Sequence, residues 1–249
     1  MRKLNLLVLP LIFALCNCRA APPRIEVVGA LGSARSEDAS VARMLATTGS
    51  ILAPQVSRLL QVEAEPPFVI WHMPEMHDGG LFVERNFTGA IMDRRIGIGD
   101  FLLQAQPQFT VAHELVHWYA TGIWDRLPHA VEEGVADTIA LRFVPEWKQV
   151  RESELAMNLL AVTPARRSRA LEVTERTWQS SPMELRFDAY AVGFEIAHRI
   201  GIDGLHGLCE RAAALDLERI PVAWLEAPVG SAQNPLPWKI RVPLQSASQ

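Results

Sequence analysis

From Glu37 to Leu60 apolar residues recur at helical spacing: Val41, Met44, Leu45, Ile51, Leu52, Val56, Leu59 and Leu60. Gly49, Ser50 and Pro54 are candidate breaks or kinks in that run, and Pro66-Pro67 closes it. The rhythm then changes. Phe68 to Met73 (FVIWHM) is β-branched and aromatic, a strand pattern. Met76 to Gly80 is a loop with Asp78-Gly79-Gly80. Leu81–Phe87, Gly89–Asp93 and Ile96–Ile98 read as short strands of a small antiparallel sheet. Beyond them the helical period takes over. Helices are expected at about 107–121, 128–143, 149–162, 167–178, 185–200 and 204–215. The tail from Pro228, rich in Pro, Gly, Ser and Gln, reads as irregular. Helix, then small sheet, then helical half is an α+β pattern, and one compact unit accommodates it.

Composition narrows the classes. Of 249 residues, 49% are hydrophobic and 21% charged, which excludes a disordered, collagen-like or coiled-coil chain. The net charge is −4 and basic residues form no run longer than two. A partner bound through its phosphates, such as nucleic acid, is therefore not expected. Met1 to Ala20 has the shape of a secretory signal: Arg2-Lys3, an apolar Leu4–Leu15, then small residues around Cys18-Arg19-Ala20. Cleavage is expected after Ala20 or Ala21, giving a secreted or periplasmic protein. The alternative is an uncleaved, membrane-anchoring N-terminus. Cys16 follows Leu15 and Cys18 follows Asn17, which disfavours lipidation. The mature chain then has no transmembrane segment, and its single cysteine, Cys209, cannot form an internal disulfide and reads as a small core residue.

The chemistry is concentrated in His113-Glu114-Leu115-Val116-His117. Pro107 suits the first turn of a helix and Gly122 its C-terminal cap. Four residues apart on that helix, His113 and His117 differ by about 40° and point the same way, as two ligands of one zinc ion must. Glu114 lies beside them and can reach a water at the metal without becoming a ligand. Leu115, Val116 and Tyr119 take the other faces. About 0.01 chance occurrences of this pattern are expected in such a chain. The plainer alternative is a buried helix with two hydrogen-bonded core histidines.

A catalytic zinc needs a third protein ligand and an open position. A histidine six residues after the motif is excluded, because Ala120 and Ile123 stand where Gly and His would be required. His129 opens the next helix and is a weak candidate. Glu133 is the better one: Glu133 and Asp137 share a helix face, so Glu133 can bind the metal while Asp137 orients His113 through its far nitrogen. Gly134, without a side chain, lets the HExxH helix and the Glu133 helix approach each other closely.

HELVH followed by EEGVAD resembles the gluzincins, the thermolysin-like zinc metallopeptidases, in which a Glu on the next helix follows HExxH and ExxxD extends the pattern. The similarity covers about residues 107–143. It implies an α+β zincin-like core with a small, mostly antiparallel sheet and a helical C-terminal half. Residues 1–20 would be the signal peptide and 21–249 a single metallopeptidase domain. Within it, about 24–143 would hold the sheet and active-site helices, 144–227 the helical half and 228–249 the irregular tail. Glu132 stands where such families often have Asn, which leaves the support of His117 unassigned.

The implied reaction is hydrolysis of a peptide or protein substrate by a zinc-activated water, with Glu114 as general base. In gluzincins a Tyr or His from the helical half often stabilises the oxyanion. Tyr190, in DAYAVGF, is the favoured candidate over His198 and His206, and Tyr119 points away from the metal. The strands Gly89–Asp93 and Ile96–Ile98 offer either an edge to an extended peptide or an ordinary hairpin turning at Arg94-Arg95. His72 and His77 read as solvent-facing, and the Trp residues as core fillers. Two other classes compete: a zincin-like module that binds a partner without turnover, and a metal-free helical protein. The intact Glu114 argues against the first of these.

Overall fold

The computed structural model describes residues 25–75, 80–85, 91–178 and 180–231. The expected signal peptide, His77 and the tail from 232 onward lie outside these residues. The chain opens with β1 (Ile25–Val28) and β2 (Gly32–Ser36), then α1 (Ala39–Leu60), β3 (Phe68–His72), β4 (Gly80–Arg85) and β5 (Ile91–Ile98). Helices follow: α2 (Asp100–Ala105), α3 (Pro107–Tyr119), a 3-10 turn at Trp124–Arg126, α4 (His129–Ala140), α5 (Pro145–Leu160), α6 (Pro164–Glu172), α7 (Glu175–Trp178), α8 (Met183–Ile200), α9 (Ile202–Ala214) and α10 (Val222–Glu226). No described helix is long and apolar enough to cross a membrane.

The α+β class and the helical C-terminal half are as expected, but the sheet is mixed rather than mostly antiparallel. Its order is β1-β2-β3-β5-β4. β1–β2 and β4–β5 are antiparallel, whereas β2–β3 and β3–β5 run parallel. The reason lies before α1, where sequence patterning predicted no strand. β2 precedes the helix, so the 22-residue α1 becomes a crossover, and a crossover returns the chain parallel. Arg94 and Arg95 sit inside β5, not at a turn, and β5 is flanked by β3 and β4. Among the described residues, the sheet edge beside it belongs to β4.

Alternation along β3 buries Phe68, Ile70 and His72 against α1, with Ala34 and Ser36 of β2 and Ile96 and Ile98 of β5 on the same face. α1 starts at Asp38, whose side chain accepts from the Ser40 amide, and runs unbroken through Gly49 and Pro54. At Gly49 a side chain would strike the Phe68 ring at 2.5 Å, so that glycine is a packing site rather than a break. α3 lies at the centre, between α1 and α4, and every residue from Thr110 to Tyr119 is buried. One apolar core joins the sheet, α1, α3, α4, α8 and α9, with Cys209 inside it.

Candidate metal centre

Two helices carry the site. α3 begins with Pro107 at its first turn. At its other end the guanidinium of Arg94, reaching from β5, donates to the carbonyls of His117 (3.2 Å) and Trp118 (2.6 Å). These are carbonyls that a helix leaves unpaired at its C-terminus. The same guanidinium stacks 4.6 Å from the Trp118 ring. The helix ends at Tyr119 with Ala120 as its cap, not the expected Gly122, which takes a left-handed φ of 68° in the turn beyond.

His113, Glu114 and His117 face inward at 8, 5 and 9% exposure, and Glu133 on α4 meets them at 6%. The Nε2 atoms of the two histidines lie 3.2 Å apart. Glu133 Oε2 is 3.3 Å from His113 Nε2, and Oε1 is 3.5 Å from His117 Nε2. Among the described residues these three form the group able to hold a metal ion. The spacing suits zinc. Ligand bonds of about 2.0–2.1 Å in a tetrahedron place neighbouring ligand atoms about 3.3 Å apart.

The outer nitrogens fix which atoms are free to bind. His113 Nδ1–H donates to Asp137 Oδ1 at 3.0 Å, and His117 Nδ1–H donates to Glu132 Oε1 at 2.8 Å. Both acceptors are carboxylates, so each imidazole turns its Nε2 lone pair toward Glu133. Three electron-rich atoms facing one another at these distances repel unless a cation or protons intervene.

The electrostatics match. Burial disfavours a charged His113, but hydrogen bonds to Asp137 and Glu133 outweigh it and raise its pKa to about 9. His117 is raised as well: burial again opposes, and the charge of Glu133 and the bond to Glu132 prevail. Burial would raise Glu132, yet its bond to His117 brings it down to about 2. Glu133 is held well below the usual carboxylate range by both histidines, against its burial. The cluster is a cation-seeking pocket.

Further out, Arg151 of α5 donates to Asp137 Oδ2 from Nε (3.2 Å) and Nη2 (2.8 Å), and its guanidinium lies 5.6 Å from the Tyr190 ring. Tyr190 on α8 also packs edge-on to Trp178 at 5.2 Å. Burial and the charges of Glu133, Asp137 and Glu114 push its phenol well above its ordinary pKa, which keeps it a neutral O–H donor. What brings α8 here is a crossing of glycines. A Cβ on Gly134 would lie 2.1 Å from the Gly193 carbonyl, and one on Gly193 would lie 1.6 Å from the oxygen of Ala130. Gly134 therefore corrects an expectation: the close approach it permits is made by α4 with α8, not with α3.

Other predicted positions fall as follows. His129 stands in the first turn of α4, its Nε2 3.5 Å from Glu133 Oε1 and outside the converging trio. Tyr119 is turned into the core. His198 is exposed, stacked 6.1 Å from Phe194. His206 lies in the second turn of α9 against Trp124. His72 corrects an expectation: it is buried, not solvent-facing. Its Nδ1 meets Ser36 Oγ at 2.9 Å and its Nε2 meets Asp100 at 2.7 Å. With Ser36 fully buried, this trio is a clasp between β2, β3 and α2, since a nucleophile must be reachable. Sequence reasoning missed Glu132, Arg94 and Arg151. Glu132 had a signal, as it occupies the position before Glu133 where the resembling families carry a polar side chain.

Compared with family models, with curated proteins and with solved structures, the chain has no match.

Proposed function

We propose that this chain is a zinc-dependent peptidase of thermolysin-like type, with the metal held by His113, His117 and Glu133. The carrying observation is the convergence of two Nε2 atoms and one carboxylate at 3.2–3.5 Å, each imidazole backed by its own acid. Bound there, zinc would polarise a substrate carbonyl and acidify a water, the two demands of amide hydrolysis. Glu114 accepts the proton from the attacking water and returns it to the leaving amine. Tyr190, protonated at working pH, donates its O–H to the developing oxyanion. Asp137 and Glu132 keep the imidazoles in the ligating tautomer and orientation. An extended peptide substrate would pair by main-chain hydrogen bonds with the outer edge of β4, the edge strand next to β5. The signal-like first twenty residues support action outside the cytoplasm.

The test measures metal content of the purified protein and cleavage of a diverse peptide library by wild type and Glu114→Gln. One zinc in both proteins, with cleavage by wild type alone, is expected. The loss should be at least about 100-fold, the usual share of a general base. Zinc in both proteins with no cleavage by wild type would favour a peptide-binding module without turnover. No zinc in either would refute the metal centre.

A further inference from the structure

Arg151 touches both halves of the site while contributing to neither reaction step directly. It projects from α5, which packs through Leu155 into a small apolar cluster with Ala191 and Phe194 of α8. Asp137 is 1% exposed, and a carboxylate so deeply buried requires partners for both oxygens. Oδ1 takes the His113 Nδ1–H, and Oδ2 takes two N–H groups from the Arg151 fork at 3.2 and 2.8 Å. A planar fork on one oxygen fixes the carboxylate plane, and that plane decides where Oδ1 points. The same guanidinium stands 5.6 Å from the Tyr190 ring, close enough for a cation–π attraction that holds the phenol in place. Its remaining nitrogen, Nη1, pairs with Glu154 at 3.0 Å, toward solvent.

We propose that Arg151 is a positioning residue. It locks Asp137, and through it His113, in the ligating orientation, and it ties that lock to the placement of Tyr190. The inference rests on the metal-centre reading above. It assigns to one side chain on a third helix the coupling between metal affinity and the oxyanion donor. Metal grip and turnover should therefore fall together when the fork is lost, although Arg151 contacts neither metal nor substrate.

The experiment uses the full chain, stripped of metal and titrated with zinc and with cobalt(II). Arg151→Met keeps length and loses the fork and charge; Arg151→Lys keeps the charge and loses the fork. Lys148→Met removes an exposed cation from the same helix and serves as the control. Zinc affinity should fall about 10- to 100-fold in Arg151→Met, the usual effect of removing the group behind a ligand, with a smaller fall in Arg151→Lys. The visible bands of the cobalt form should shift in both variants and stay fixed in Lys148→Met. A merely structural arginine would lower thermal stability and leave those bands in place. Should Arg151→Met fail to fold, Arg151→Lys decides by the same two readings. Zinc affinity within twofold of wild type and unshifted bands overturn the proposal. Glu133→Ala, titrated alongside, separates the two levels. If it abolishes tight zinc binding while the Arg151 variants do not weaken it, only the role of Arg151 falls. If it binds zinc as wild type does, the metal centre itself falls, and the role of Arg151 with it.

Discussion

Gly193→Ala adds one methyl group where two helices touch. Its Cβ would lie 1.6 Å from the carbonyl oxygen of Ala130, and ordinary contact begins at 3.4 Å, so α4 and α8 would have to part by about 1.8 Å. The obstacle is backbone, which cannot swing aside as a side chain can. Alanine improves helix propensity over glycine by about 1 kcal/mol. Overpacking a tight contact costs about 1–3 kcal/mol and more when backbone must move. At the upper end or beyond, the net loss is about 2 kcal/mol, a fall in Tm of about 4–8 °C for a chain of this size. Function should suffer more than stability. Tyr190 is one turn before Gly193 and Glu133 is adjacent to Gly134, so the separation that relieves the clash also draws the phenol from the metal group. A displacement of about 1 Å at a reacting centre costs about 100-fold in rate. Thermal unfolding and peptide hydrolysis at saturating zinc read the two effects separately. A variant with unchanged or higher Tm and full hydrolysis would refute the argument that this glycine contact sets the distance between α8 and the His113/His117/Glu133 group.

Glu132→Ala removes the acceptor behind His117 and should weaken zinc binding about 10- to 100-fold, read by competition with a chelator; unchanged affinity would show that His117 needs no such support. Arg94→Met removes both hydrogen bonds to the end of α3 and should lower stability by about 1–3 kcal/mol in denaturant titration, with zinc stoichiometry intact. Glu195, partly buried between Arg167 and Arg199, has a pKa below the ordinary carboxylate value; burial opposes this, and hydrogen bonds from Arg167 and Arg199 prevail. A depressed folded-state pKa contributes stability above the unfolded value of about 4.3 that is lost as pH falls through the folded one. The Tm advantage of wild type over Glu195→Gln should therefore be full near neutrality and shrink steadily below about pH 4.

The sequence made the chemistry legible and left much of its scaffolding hidden. HELVH and EEGVAD stand out because a metal-binding pattern would demand fixed residue types at helical spacing, and the structure brings His113, His117, Glu133 and Asp137 together. β2 escaped notice for a physical reason. GSARS buries small side chains, Ala34 and Ser36, beneath α1, so no run of large apolar residues marks it. Without β2, α1 reads as a free-standing helix and the parallel joins of the sheet cannot be foreseen. Arg151 and Asp137 pair across two helices, and Arg94 reaches α3 from a strand. Neither spacing is periodic, so local pattern carries no trace of them. Nothing local distinguishes Gly193 from any mid-helix glycine, because its partner Gly134 lies on another helix across the crossing.

α3 is walled in by α1 on one flank and α4 on the other, with its last carbonyls clamped from the sheet. Such an element has no private route to opening, because its amides become exposed only when the whole core gives way. Its backbone hydrogens should thus be among the slowest in the molecule to exchange with deuterated solvent. Exchange along this helix would then report the endurance of the entire fold rather than the breathing of any one loop.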